Sequence, residues 1–224
     1  MLSILLIILL SYLIGSIPTS IILSKLKDGT DIRDYGSGNA GGTNAFRILG
    51  WRYGLIVAVV DIGKGIVATV LVSKLRIDTI PFSNISIIEV FAGLSAIIGH
   101  TFTLFAGFRG GKGVATGAGM LIGLNPVAFL ICIAVFCITL FSSGIVSIAS
   151  MLGALTFPVA LFLFKIVFSS EIDVFLLIFS LIIPFFIIFT HRENVLRVFK
   201  GEEHIFGKIA IFRGKRYRQA DRQS

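Results

Sequence analysis

The chain has 224 residues, of which 55% are hydrophobic and only 14% are charged. Soluble domains carry about one quarter charged residues, so this composition excludes an ordinary soluble protein and predicts an all-α integral membrane protein. The formal net charge of +8 does not indicate nucleic-acid binding, because the basic residues flank apolar segments, as expected of loops that face anionic lipid.

Seven apolar segments are candidates for membrane-spanning helices. A helix needs about 17–25 residues to cross the hydrocarbon core, and fewer where half-helices meet inside a protein. The first segment lacks a basic start and runs past the usual length of a signal peptide, so we expect a span there and not a cleavable leader. In chain order the candidates are 1–24, 53–75, 85–106, 113–124, 126–141, 144–168 and 172–190.

The fourth and fifth candidates are the two short ones, and they meet at Asn125-Pro126. A residue before proline avoids the helical conformation, whereas proline starts a helix well, so this dipeptide favours two helices over one kinked helix. Charge supports the division. Returning from Lys112 to His191 on one side of the membrane takes an even number of crossings, which two short and two long spans provide.

Basic residues concentrate in the loop after the first span, in the loop after the third span and in the C-terminal tail. Excess Lys and Arg mark cytoplasmic loops. We therefore predict about seven spans, with the N-terminus outside and the C-terminus cytoplasmic. The membrane domain would cover residues 1–206, and a basic cytoplasmic tail would cover 207–224.

Three polar segments join apolar helix ends on the predicted cytoplasmic side. The first, 31–47, contains GSGNAGGTNAFR. Its glycines permit tight backbone turns, and Arg47 carries a planar fork suited to phosphate. We expect this segment to form one wall of a substrate pocket, with a flexible connecting loop as the alternative. Neutral donors and acceptors in it are Ser37, Asn39, Thr43 and Asn44.

The second polar segment is GFRGGKGVATGAG, 107–119, and its glycines run directly into an apolar helix that we expect near Val114. A glycine-rich turn lets backbone N–H groups converge, and a helix N-terminus adds a positive dipole. It is not a Walker A loop, since Gly113 stands where Ser or Thr would bind magnesium. The alternative is a glycine hinge with a snorkelling lysine. The expected phosphate ligands are Gly110, Gly111, Lys112, Gly113 and Thr116.

The third polar segment is HRENVLRVFKGEE, 191–203. His191 and Asn194 are three residues apart, so one helical turn presents both to the same side. Together with Glu193 they are suited to bind a polyol or to orient a hydroxyl. An ordinary polar helix end is the alternative.

Three further polar residues fall at membrane depth. Asp61 and Lys64 lie inside the second span at a spacing that lets them pair, and ionisable residues within a membrane are candidates for functional sites or for bracing a cavity. His100, near the end of the third span, is expected to be a satisfied interface histidine. The two cysteines, Cys132 and Cys137, predict neither a disulfide nor a metal site.

Together these motifs resemble the bacterial acyl-phosphate:glycerol-3-phosphate acyltransferase family over nearly the whole chain. Three positions depart from the family pattern. Gly42 stands where the family has Ala, a mild change. Thr103 stands where the family has Pro, and Ile205 stands where a Gly-x-Glu-x-Lys pattern would place Lys. The resemblance runs through GSIPTS (15–20), GTDIRDYGSGNAGGTNAFRILG (29–50), DIGKG (61–65), GFRGGKGVATGAG (107–119) and HRENVLR (191–197).

The resemblance implies an enzyme of the bacterial inner membrane, with its site facing the cytoplasm. It would transfer a fatty acyl group from a long-chain acyl phosphate to the 1-hydroxyl of glycerol 3-phosphate. The products would be lysophosphatidic acid and inorganic phosphate, in the first acylation step of phospholipid synthesis, without coenzyme A, metal or another cofactor. By motif, the catalytic residues would be His191, Asn194, Lys112, Arg47 and Ser37. Substrate would be bound by Asn39, Thr43, Asn44, Gly110, Gly111, Gly113, Thr116 and Glu193, with Asp61 and Lys64 in support.

Three other functions are alternatives to this one. A membrane transporter for an organic phosphate or other anion also places half-helix N-termini at a polar cavity, but such proteins usually contain repeats, and none is visible. A coenzyme-A-dependent acyltransferase would resemble a His-x4-Asp pattern, which no histidine of the chain begins. A structural membrane subunit would leave the three polar segments unexplained.

Overall fold

The computed structural model describes residues 1–81, 84–167 and 171–206, and all regular elements in these ranges are helical. The predicted tail over 207–224 lies outside the described residues. Short 3₁₀ or π turns join or extend several helices. The α-helices are α1 (Leu2–Gly15), α2 (Thr19–Asp28), α3 (Gly42–Ile48), α4 (Trp51–Ile66), α5 (Ile85–Thr101), α6 (Val114–Leu124), α7 (Pro126–Ser143), α8 (Val146–Val167), α9 (Val174–Ser180), α10 (Ile182–Thr190) and α11 (Arg192–Lys200).

Within the described ranges, five helical segments are long and apolar enough to cross a membrane. A bent pair, Val174–Thr190 with Arg192–Lys200, turns by 58° and is a sixth candidate. The apolar helix α6 has 11 residues, fewer than a full crossing needs. The all-helical membrane class is confirmed, whereas a count of seven stays a prediction. The five segments are Leu2–Asp28, Trp51–Lys74, Ile85–Ala106, Pro126–Ser143 and Val146–Val167.

The described chain divides into two compact units. The first consists of Met1–Phe129 and Ile172–Phe179, and the second contains the described residues of 130–171 and 180–206. The first and second polar segments therefore belong to the first unit, and the third belongs to the second unit. Both units fall within the predicted membrane domain, 1–206.

In the first unit, α1 and α5 approach each other at backbone distance. A Cβ atom on Gly15 would collide with the Ala96 carbonyl, and one on Gly99 would collide with the Tyr12 carbonyl. Small residues at helix crossings allow this close packing, which stabilises membrane helices where a hydrophobic driving force is missing. The end of α5 is thereby held next to the end of α1.

The helices α4 and α6 cross in the same way. A Cβ atom on Gly65 would collide with the Thr116 carbonyl, and one on Gly119 would collide with the Ile62 carbonyl. The first turn of α6 therefore lies beside the buried turn of α4. The chain then breaks where Asn125-Pro126 predicts, because α6 ends at Leu124 and α7 begins at Pro126.

In the second unit, the end of α11 brings the chain back against the helix. Gly201 adopts a left-handed conformation (φ 74°), and the N–H of Glu202 donates to the Arg197 carbonyl at 2.8 Å. Glycine at this position ends a helix with little strain. The turn directs Glu203 towards the face of α11 that carries Asn194.

Candidate functional site

The glycine-rich loop of the first polar segment is organised by Asn44, which is 1% exposed. Its Nδ2 group donates to the carbonyls of Ile32 (3.1 Å) and Tyr35 (3.0 Å), and its Oδ1 accepts from the Ser37 N–H at 3.0 Å. Asn44 thus bonds backbone with both ends of its amide. This differs from the predicted substrate-binding role, because the turns of the loop leave peptide groups that need a partner within the protein.

The other predicted residues of this segment remain accessible in part. Gly36 (φ 61°) and Gly38 (φ 69°) adopt the left-handed conformation that the tight turn requires. The four remaining candidates are half-buried at the edge of the loop and on α3. They are Ser37, Asn39, Thr43 and Arg47.

Arg33, whose role the sequence did not predict, pairs with Asp31 and connects the first polar segment to the second. The Arg33 guanidinium forms two hydrogen bonds with the Asp31 carboxylate (3.0 and 2.7 Å) and also donates to the carbonyls of Ala106 (2.8 Å) and Arg109 (3.1 Å). The hydrogen bond from Arg33 holds the pKa of Asp31 below its usual range and outweighs the effect of burial. The only sequence signal was the Asp-x-Arg spacing.

The glycine loop before α6 packs onto the end of α5. The Gly110 N–H donates to the Thr101 carbonyl at 3.0 Å, and the Gly111 N–H donates to the His100 carbonyl at 3.0 Å. Both N–H groups are therefore occupied by backbone in this structure, and the role of Gly110 and Gly111 as phosphate ligands stays a prediction. The last carbonyls of a helix lack partners within the helix, and the N–H groups of Gly110 and Gly111 bond these carbonyls at the end of α5.

The part of the predicted anion site that is not bonded to α5 is the start of α6. Gly113 precedes the helix in a left-handed conformation (φ 80°), and Lys112 lies half-buried just before it. The N-terminus of a helix favours anions, so Lys112 adds a full charge to a positive dipole. Thr116 is fully buried in α6, and its hydroxyl has no hydrogen-bond partner among the described residues.

Asp61 and Lys64 form the pair that their spacing predicts. The Nζ atom of Lys64 lies 2.6 Å from the Oδ1 atom of Asp61 and also donates to the Ile17 carbonyl at 2.6 Å. The hydroxyl of Thr19 donates to the same carboxylate at 3.3 Å. Both charged side chains are almost fully buried, at 4% and 2% exposure.

A small cavity adjoins this buried pair. It brings together the end of α1, the first polar segment, α4, the end of α5 and the glycine loop. Thr103, at the family's Pro position, faces it and donates a hydrogen bond to the Ser16 carbonyl, which proline could not do. The lining residues are Ile17, Pro18, Thr19, Ala40, Asp61, His100, Thr103, Gly110 and Gly111.

In the second unit, a buried carboxylate organises the third polar segment. Glu203 accepts hydrogen bonds from Asn194 Nδ2 (2.6 Å), Ser147 Oγ (3.1 Å) and Arg197 Nε (2.9 Å). Burial raises the pKa of Glu203, but these three donors outweigh it and leave the pKa below its ordinary value. Glu203 therefore fixes the Asn194 amide.

Glu193 was predicted to bind substrate together with His191 and Asn194, and this position is exposed on α11. His191 and Asn194 are both buried, as their common helical face predicts. The carboxylate that bonds Asn194 is Glu203, which the sequence did not predict as a site residue. The signal for it was the helix-ending Gly201 two residues earlier.

The hydrogen bond made by His191 indicates its tautomer. Nδ1 lies 2.8 Å from the Ile187 carbonyl oxygen, one turn earlier in α10. A carbonyl only accepts, so Nδ1 carries the hydrogen, and in the neutral ring Nε2 is the acceptor nitrogen. Such a ring can accept a hydrogen bond from a hydroxyl, while Asn194 offers an amide on the same face.

The two units thus offer different chemistry. The first presents cations and a helix N-terminus, which suit phosphate. The second presents the neutral imidazole of His191 and the amide of Asn194, which suit hydroxyls. Among the described residues, no cluster of three His, Cys, Asp or Glu side chains could hold a metal ion.

Comparison with known proteins identifies similar sequences and structures. The sequence model of the glycerol-3-phosphate acyltransferase family matches residues 5–201. Glycerol-3-phosphate acyltransferases from Chlorobium chlorochromatii (strain CaD3) and Chlorobaculum tepidum are 48% and 47% identical to the chain. The first alignment covers 93% of this chain and 100% of the relative, and the second covers 91% and 97%.

Two crystal structures of PlsY (YgiH), an integral membrane glycerol 3-phosphate acyltransferase, share this fold. The glycerol 3-phosphate form is 35% identical, with a TM-score of 0.77 over 91% of this chain and 96% of that one. The lysophosphatidic acid form is 33% identical, with a TM-score of 0.74 over 91% and 95% of the two chains.

Proposed function

Because this chain belongs to the glycerol-3-phosphate acyltransferase family, we propose that it transfers a fatty acyl group from acyl phosphate to the 1-hydroxyl of glycerol 3-phosphate. The products are lysophosphatidic acid and inorganic phosphate. The proposed partners are the two substrates and membrane lipids, without coenzyme A or a cofactor. The family is that of an acyltransferase; the donor, the acylated position and the products are the proposal.

The observation that carries the proposal is the position of Lys112 at the N-terminus of α6. Arg33 ties the loop before Lys112 to the first polar segment, where Ser37 and Arg47 lie half-buried. Two anionic substrates repel each other unless cations and N–H groups screen them. Lys112, Arg47 and the first turn of α6 would bind phosphate, while Asn39 and Thr43 would line the same wall.

The proposed reaction needs no nucleophile from the protein, because an acyl phosphate is already activated. The oxygen of the 1-hydroxyl attacks the acyl carbonyl carbon, and a new ester bond forms. The bond between that carbon and the phosphate oxygen breaks, and phosphate leaves with both electrons. The hydroxyl proton passes to a phosphate oxygen, so atoms and charge balance.

His191 and Asn194 would hold the glycerol 3-phosphate hydroxyls. We assign His191 a positioning role, in which Nε2 accepts the hydrogen bond of the 2-hydroxyl, so that the proton of the attacking 1-hydroxyl remains directed at the phosphate. If His191 were instead the general base, its loss would abolish turnover even at saturating acceptor. In the His191→Gln variant we expect a raised KM for glycerol 3-phosphate and near-normal kcat.

The membrane arrangement is part of the proposal. About seven crossings would leave the N-terminus outside and the three polar segments on the cytoplasmic side of the bacterial inner membrane. The concentration of Lys and Arg in those segments supports this orientation. The acyl chain would reach the site sideways from the bilayer.

The first experiment compares acyl donors. Purified protein in detergent receives glycerol 3-phosphate with palmitoyl phosphate or, separately, with palmitoyl coenzyme A, and lysophosphatidic acid is measured. We expect product from the acyl phosphate only. Product from the thioester alone would overturn the donor assignment. Absence of product from both, with folded protein, would favour a transporter, which uptake into vesicles would then test.

The phosphate site is tested by Lys112→Ala. Loss of a charge-assisted contact of about 2–3 kcal/mol should lower kcat/KM for acyl phosphate by roughly 30- to 150-fold. The matched control is Lys74→Ala, which removes an exposed lysine at the end of the second span. Equal activity in both variants would contradict the site.

A further inference from the structure

We propose that His100 is a positioning residue for the glycine loop, and that the buried Asp61–Lys64 pair holds the His100 ring in place. The inference rests on the proposed function in one respect, namely that Lys112 of this loop binds a phosphate of the substrate. The packing itself can be tested independently of the reaction.

The His100 side chain, 7% exposed, stands between the ion pair and the loop. On one side its Nδ1 atom lies 3.7 Å from the Asp61 Oδ1 atom, within electrostatic reach. On the other side its Nε2 edge lies directly against Gly111. A Cβ atom on Gly111 would collide with Nε2 and lie 2.9 Å from Cε1 and 3.0 Å from Cδ2.

His100 contacts Gly111 through two different groups. Its ring packs on the glycine Cα, and its carbonyl accepts the Gly111 N–H at 3.0 Å. The carbonyl contact is available to any residue at position 100. The ring contact requires histidine at position 100 and a residue without a side chain at position 111, so the two residues are matched in shape.

The Asp61 carboxylate beside the ring is itself held by hydrogen bonds. Asp61 is fixed by Lys64 and Thr19, and Lys64 also donates to the Ile17 carbonyl. A buried ion pair is weak evidence for stability, because well-packed apolar residues of similar volume often serve as well. Its location beside the histidine that packs on the glycine loop assigns it a positioning role.

Lys112 follows Gly111 directly, so a shift of Gly111 shifts the start of α6 and its cation. Misplacement of a catalytic group by about 1 Å can cost on the order of 100-fold in rate. His100 and Gly111 should therefore act on the reaction together, through Lys112, without contacting substrate.

The test is a double-mutant cycle at these two positions. Gly111→Ala adds a methyl that collides with the ring, and we expect kcat/KM for acyl phosphate to fall by about 30- to 100-fold. His100→Ala alone loosens the loop and should cost about 5-fold. The double variant should recover at least threefold over Gly111→Ala, because the ring that met the methyl is gone. A double variant as poor as the product of the single effects would overturn the proposal.

Two other glycines provide matched controls. A methyl on Gly110 would collide with the His100 carbonyl, which His100→Ala leaves in place, so no rescue of Gly110→Ala is expected. A methyl on Gly63 of α4 would meet no atom within 4 Å, so Gly63→Ala should retain full activity. Equal rescue of Gly110→Ala and Gly111→Ala would show that the effect of His100 is unspecific, against the proposal.

A second measurement follows the loop without any assay of acyl transfer. The rate of trypsin cleavage after Arg109 and Lys112 is measured by mass spectrometry for all variants. We expect Gly111→Ala to be cut at least tenfold faster than the unchanged protein, and the double variant to be cut more slowly than Gly111→Ala. Cleavage of Gly111→Ala at the rate of the unchanged protein would refute the packing. If the variants show the expected order of cleavage rates but the unchanged protein has no acyltransferase activity, only the proposed function is refuted.

Discussion

Two asparagines of the first polar segment show how residues of one type take different roles. Asn39 and Asn44 stand five positions apart in the same glycine-rich sequence. Asn44 is buried and its amide bonds three backbone groups, whereas Asn39 is half-buried at the loop edge. The first therefore acts through the fold, and the second remains a candidate for substrate binding.

This difference predicts opposite phenotypes for two alanine variants. Asn44→Ala leaves two backbone carbonyls and one N–H without a partner, which should lower the free energy of unfolding by about 1–3 kcal/mol. Asn39→Ala should leave stability unchanged and raise KM for a substrate. Thermal unfolding in detergent and steady-state kinetics separate the two effects. A stable Asn44→Ala protein with altered KM would contradict the assignment.

Glu203 predicts a pH-dependent stability. Its pKa is lower in the folded protein than in the unfolded chain, so the unfolded state binds a proton more readily. The stabilisation is complete above the unfolded pKa of about 4.3 and is lost as pH falls towards the folded pKa. We expect the unfolding temperature to drop in this acid window.

The matched variants for this prediction are Glu203→Gln and Glu193→Gln. Glu203→Gln should be less stable at neutral pH and lose part of the acid dependence, because the charged acceptor of Asn194 and Arg197 is gone. Glu193→Gln changes an exposed carboxylate on the same segment and should retain both. The same acid dependence in all three proteins would show that another group is responsible.

At the scale of helices, glycine positions decide which elements can approach. Gly65 on α4 lies against the backbone of α6, whereas Gly63, two residues earlier, has no atom within 4 Å of a Cβ position. The two glycines belong to one DIGKG motif and are equivalent in the sequence. They differ only because α6 packs on the side of α4 that carries Gly65.

Alanine substitution at these two glycines should therefore change stability in opposite directions. Gly65→Ala forces α4 and α6 apart, with an expected cost of about 1–3 kcal/mol for overpacking. Gly63→Ala adds no clash and should stabilise the helix by about 0.5–1 kcal/mol through reduced backbone entropy. Thermal unfolding of both variants in the same detergent tests this. Equal destabilisation would contradict the close crossing.

At the scale of the whole molecule, the charge distribution predicts the orientation in the membrane. Asp34 lies in the first polar segment, and Thr79 lies in the loop between the second and third predicted spans. Both are exposed. Under the proposed topology the first faces the cytoplasm and the second faces outward, because Lys and Arg concentrate on the cytoplasmic side.

Thiol labelling of intact cells tests this orientation. Single cysteines are introduced as Asp34→Cys and Thr79→Cys after replacement of Cys132 and Cys137. A membrane-impermeant reagent should label position 79 in intact cells and position 34 only after the membrane is opened. The reverse pattern would show that the topology is inverted. Labelling of both positions in intact cells would show that they lie on the same side, with an even number of spans between them.

The sequence by itself determined the membrane class, the helical segments and the break at Asn125-Pro126. These features depend on local hydrophobicity and on proline geometry, which act over a few residues. It also determined the pairing of Asp61 with Lys64, because a spacing of three on a helix brings side chains together. The family resemblance likewise rests on short motifs in order.

Only the tertiary structure decided which polar groups face inward to the protein. The amides of Gly110 and Gly111 satisfy the end of α5, Asn44 satisfies its own loop, and Glu203, not the exposed Glu193, bonds Asn194. The physical reason is common to all of them. A buried peptide or amide group must find a partner, and here each partner lies beyond the spacing of three or four residues that a helical pattern relates.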